Sequence, residues 1–70
     1  MKIEKFNKWL KELANWVFIN RKDFTKANFK EVMGEEYNDD KVGITFFDYA
    51  QSRKGRDYFR NCLRELKQKA

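Results

Sequence analysis

A single cysteine, Cys62, leaves this chain of 70 residues without an internal disulfide, so whatever it folds into must be closed by packing alone. A domain of that size buries only about 60% of the surface its unfolded chain exposes. Each buried side chain must therefore cover a large area, and the sequence supplies rings for the purpose: Phe6, Trp9, Trp16, Phe18, Phe24, Phe29, Tyr37, Phe46, Phe47, Tyr49, Tyr58 and Phe59. A single ring can bury roughly 150 to 250 Å². Two outcomes are open: a core built mainly of rings, or some rings left outside as a contact surface. An unpaired thiol suits a reducing compartment, which makes a cytoplasmic protein the expectation. Met1 to Lys11 alternate lysines with apolar residues, so neither a signal peptide nor a membrane span is expected there, and no membrane partner.

The rings fall on helical periods. Ile3, Phe6, Leu10, Leu13 and Val17 recur at steps of 3, 4, 3 and 4, with Trp9 and Trp16 beside the same stripe, which predicts an amphipathic helix over residues 2–18. Asn20 to Asp23 reads as a turn. Asp23 or Thr25 can cap a second helix whose apolar positions are Phe24, Ala27, Phe29, Val32 and Met33, and Gly34 is a natural stop. Glu35 to Asp40 reads as an exposed acidic loop. The run 42–50 carries strand-like β-branched and aromatic content, yet Thr45 followed by Asp48 resembles a helix start. A short helix is favoured, because a lone strand there has no partner except residues 16–19. Gly55 permits a break or kink. Tyr58, Phe59, Cys62, Leu63 and Leu66 then mark one face of a last helix over roughly 54–68. The expected fold is all-α, a single compact domain (1–70) of three or four short helices, with a small β element near 16–19 and 42–47 as the alternative.

Catalysis finds little to work with. The chain has no histidine and one cysteine, so it lacks the usual base for a nucleophile and the usual zinc ligands; no enzyme activity, metal or cofactor is expected. Cys62 sits between Phe59 and Leu63 on the apolar face, where a thiol is normally buried and inert. A calcium loop starting at Asn38 fails at its fifth position, Val42, and at its twelfth, Tyr49, where a bidentate glutamate is needed.

Charge is more informative. Residues 1–30 net +5, residues 31–48 net −5 and residues 53–70 net +5, which makes the surface strongly polarised. Within the last block Arg53, Arg56, Arg60, Arg64 and Lys67 follow at steps of 3, 4, 4 and 3. On a helix they share about 80° of arc, away from the apolar face, and form one basic ridge. Four of the five are arginines, whose planar fork grips a phosphate or carboxylate with two bonds where lysine offers a point charge. Such a ridge is also what the solvated face of an amphipathic helix looks like. Cations near a helix C-terminus gain from the macrodipole, but Arg53 and Arg56 stand at the start, where positive charge is unfavourable. Lys22, Lys26 and Lys30, spaced by four, make a second and shorter basic row.

Two functions follow as expectations. One is a small nucleic-acid-binding regulator, with DNA ahead of RNA, that contacts phosphates through the ridge and the lysine row. A helix-turn-helix, with Thr25 to Met33 first and the Ile44 segment as reading helix, fits poorly, because the intervening turn is too long and too acidic. The alternative is a protein-binding adaptor or inhibitor of the accessory or mobile-element type. It would meet an acidic protein surface with its charges and use Trp9, Phe47 or Tyr49 as ring anchors. An exposed aromatic face also leaves room for a homodimer.

Overall fold

The computed structural model describes residues 2–69. The stripe from Ile3 to Val17 forms α1, Lys2–Asn20, two residues longer than its apolar period requires. Its end is made by Arg21, which takes a left-handed conformation at φ 57° and donates its N–H to the Val17 carbonyl at 2.8 Å. This is the position where helices usually place glycine, because a side chain there crowds the backbone.

Thr25, not Asp23, caps α2, Lys26–Met33. Asn28 takes the place of the usual glutamate or glutamine of a capping box: its Oδ1 accepts the Thr25 N–H at 2.6 Å and the Thr25 hydroxyl at 3.2 Å. Asn28 is itself buried, so a polar group in the interior is satisfied locally. Gly34, at φ 60°, stops the helix as its position in the sequence suggests.

Residues 35–40 are not an open loop. Gly34–Asn38 wind into a 3₁₀ turn, and Glu36 pairs with Lys5 across to α1. Asp39, in the same acidic stretch, caps α3, Asp40–Gln51, by accepting the N–H groups of Lys41 at 3.0 Å and Val42 at 3.4 Å. Thr45 is not the start; its hydroxyl donates back to the Lys41 carbonyl at 2.6 Å inside the helix. The alternative β element is excluded, since 16–19 lie in α1 and 42–47 in α3. Strand preference is worth at most about 1 kcal/mol across its scale, and it loses to the burial of Val42, Phe46, Tyr49 and Ala50 on one helical face.

α4, Arg53–Lys69, begins at a sharp corner at Ser52, whose backbone is extended at φ −70°, ψ 163°. Ser52 serves both helices. Its hydroxyl donates to the Tyr49 carbonyl at 2.5 Å and accepts from the Gly55 N–H at 3.2 Å. The break therefore falls three residues before Gly55, whose role is different. A Cβ on Gly55 would lie 2.0 Å from the Tyr49 carbonyl oxygen, so only glycine lets α4 cross the end of α3 this closely.

The four helices enclose one core of Phe6, Trp9, Leu10, Leu13, Ala14, Met33, Phe46 and Cys62, with Phe24, Phe29, Val32, Tyr58 and Phe59 among the half-buried residues around it. The radius of gyration is 11.7 Å, close to the roughly 11 Å of a compact chain this long. The longest helices, α1 and α4, pack along each other and run in the same sense: Leu10 shares a crevice with Phe59, and Val17 and Phe18 share one with Leu63 and Lys67. Both C-terminal ends thus lie at one end of the bundle. Among the described residues no helix is long and apolar enough to cross a membrane.

The two helical glycines give a paired test. Gly55→Ala is expected to cost at least about 1 to 3 kcal/mol through overpacking. Gly43→Ala, where an added Cβ meets nothing within 4 Å, is expected to stabilise by about 0.5 to 1 kcal/mol. Urea midpoints of the two variants check both signs.

Candidate functional site

All five residues of the basic ridge, Arg53, Arg56, Arg60, Arg64 and Lys67, are exposed along α4. From first to last they cover about 21 Å of helix. Among the described residues the one ion pair is Lys5–Glu36, so every cation of the ridge is unpaired. The first turn of α4 contains no acid, which leaves Arg53 and Arg56 uncompensated at the positive end of the helix dipole.

Packing places more of the basic residues beside this ridge, but not all of them. Because α1 and α4 end together, Lys67 lines a cavity of about 470 Å³ with Arg21 and Lys22, over an apolar wall of Val17, Phe18 and Leu63. Asp23 is the one acid there. Arg56 and Arg60 flank a smaller cavity of about 170 Å³ against the rings of Phe24 and Phe59, which meet edge to face at 5.6 Å. The lysine row, in contrast, divides. Lys22 joins the ridge, Lys26 lines a separate opening between α2 and α3 with Phe29 and Phe47, and Lys30 is exposed on α2 outside both. Spacing by four puts three residues on one face only if all lie in one helix, and Lys22 lies in the turn before α2.

Arg21 is the residue that sequence reasoning missed. Its signal was weak, since it is simply the first charged residue after the α1 stripe. Its left-handed backbone fixes the side chain at the junction of the two helix ends, beside Lys22 and Lys67.

The rings considered as protein anchors separate cleanly. Trp9 is buried in the core and offers no anchor. Tyr49 is half-buried, and its hydroxyl donates to Asn7 Oδ1 at 2.7 Å. Phe47 is exposed.

Cys62 is 8% exposed and faces α1. Burial pushes its thiol above the ordinary value, and burial together with the neighbouring thiol does the same to the Tyr58 hydroxyl. A depressed thiol, the mark of a reactive cysteine, is the opposite of what is present. No three of the described Cys, Asp and Glu side chains cluster as a metal ion requires. For both raised groups the folded protein holds the proton more tightly than the unfolded chain. Their contribution to stability is whole below about pH 9 and is lost as pH rises through the raised values. The urea midpoint is therefore expected to hold steady from about pH 7 to 8 and to decline above about 9. Cys62→Ala should make that decline shallower.

Compared with known proteins, the chain matches no family model, no curated protein and no solved structure.

Proposed function

We propose that this protein binds nucleic acid as a small regulator, gripping the phosphate backbone of duplex DNA through the α4 ridge with Arg21 and Lys22 at its C-terminal end. The observation that carries this reading is the uncompensated pair Arg53 and Arg56. Two arginines at a helix N-terminus, with no acid in the turn and no ion-pair partner among the described residues, repel both the dipole and each other. An anion lying against them relieves both repulsions, because the positive end of the helix dipole and the guanidinium forks both favour negative charge.

The shape of the ridge favours duplex over single strand. A straight row of cations over about 21 Å follows a regular backbone across roughly six base-pair steps. Single-strand binders instead present open rings on which bases stack, and the rings nearest this ridge, Phe24 and Phe59, are half-buried against each other. No side chain is assigned to base reading, so the contacts named here position the protein and do not by themselves specify sequence.

Anisotropy of a labelled duplex tests the reading. If five phosphates are neutralised, the affinity falls roughly 500-fold between about 50 and 200 mM salt, and Arg56→Glu with Arg60→Glu lowers the logarithmic salt slope by about 2 while the fold survives. Binding that is unmoved by this double variant overturns the assignment of the ridge. Arg21→Gly gives a second readout: removing the left-handed strain should stabilise the protein by about 1 kcal/mol while weakening the duplex several-fold, a combination that a purely structural Arg21 does not produce.

A further inference from the structure

α2 and α3 diverge from the 3₁₀ turn as two walls, and the rings between them do not fill the space. Phe29 and Phe46 meet edge to face at 5.5 Å on the floor, and Phe29 reaches Phe47 at 6.3 Å. Above them an apolar groove of about 290 Å³ stays open. On its rim Tyr37, Ile44 and Phe47 are 37%, 64% and 47% exposed. Ile44 and Phe47 stand three residues apart on one face of α3 and take no part in the buried core.

The groove carries opposite charges at its two ends. Lys26 lies where α2 begins, and Asp40 lies where α3 leaves the 3₁₀ turn, with Asp39 and Glu35 exposed nearby in the chain. Lys26 and Asp40 thus reach the groove from the starts of two different helices, on either side of the 3₁₀ turn. Neither Lys26 nor Asp40 has an ion-pair partner among the described residues.

The two charges of this groove are complementary to themselves once it is rotated by half a turn. We propose that this face pairs two copies of the chain about a twofold axis near Ile44, the acidic end of each copy facing the basic end of the other. A foreign helix carrying one sign of charge meets attraction at one end of the groove and repulsion at the other. A second copy brings both signs and the same apolar rim, as an isologous contact requires. The exposed rim of Tyr37, Ile44 and Phe47 is small against the 5654 Å² surface of the chain and smaller than a standard interface, so the dimer is weak, with dissociation in the micromolar range or above. The pairing does not depend on the nucleic-acid reading. Because the ridge on α4 lies outside the groove, a dimer presents two ridges at once.

Sedimentation equilibrium of the full chain without nucleic acid, from ~5 μM to ~1 mM, is the test. The apparent mass should climb from 8.6 kDa towards twice that value. Ile44→Asp, at an exposed position, should hold it at 8.6 kDa throughout while the circular dichroism melt is unchanged. Asp40→Lys, which sets like charges together, should weaken association roughly tenfold or more. Combining it with Lys26→Asp, which restores opposite charges, should recover most of the loss. A mass of 8.6 kDa for the unaltered chain at every concentration overturns the proposal. So does a dimer indifferent to Ile44→Asp, or a double variant no better than Asp40→Lys alone.

Discussion

Phe46 reaches from α3 into the middle of the bundle, where Trp9, Phe6 and Phe29 surround it at 5.0, 5.3 and 5.5 Å between ring centroids. Three helices meet on that one ring. Ring pairs of this kind contribute roughly 2 to 4 kcal/mol together, beyond the area they bury. A domain of 70 residues holds roughly 4 to 10 kcal/mol in all. With no disulfide available, the cluster stands where a cross-link stands in other small domains. It also explains why 42–50 is a helix: a strand would point Ile44 and Phe46 to the same side, whereas the helix sends Phe46 inward and leaves Ile44 out.

The direction of α4 then depends on the corner at Ser52. Phe46 and Tyr49 fix α3 against α1, and Gly55 lets α4 turn back within contact of the Tyr49 carbonyl. That close crossing lays α4 along α1 in the same sense, so both C-terminal ends, with Arg21, Lys22 and Lys67, come to one place. The cations at this end sit where helix dipoles favour them. At the other end of α4, Arg53 and Arg56 sit where the dipole opposes them. The ridge is therefore electrostatically uneven, stabilised at one end and strained at the other.

These features were legible to different degrees in the sequence. The apolar stripes of α1 and α4 are long and strictly periodic, and so is the ridge, which follows from the same period read on the opposite face. Short elements were harder, because their ends are set by single side chains. Asp39 looked like part of an acidic loop, and its capping role depends on where α3 begins; Asn28 acts as a box partner although the usual residue there is glutamate or glutamine. Gly55 looked like a breaker because glycine is a common one, whereas its need arises from a backbone contact with α3 that no local pattern encodes. The site shows the same division. Steps of three and four within α4 hold, but the lysine row crosses a helix boundary at Thr25 and so comes apart, while Arg21 enters only through tertiary packing.

A core this small can carry an exposed basic ridge and an exposed apolar rim only if they do not belong to it. The ridge residues are exposed and unpaired among the described residues, and Ile44 and Phe47 lie outside the buried cluster, so neither surface is needed to hold Phe46 in place. The cost appears as charge repulsion along α4 and as apolar area left in water over α2 and α3. Both are unfavourable in the isolated monomer, and each is relieved by a different contact: an anion removes the first and a matching apolar face removes the second. Since the relieving groups differ and the surfaces share only the ring-packed interior, occupation of one need not disturb the other.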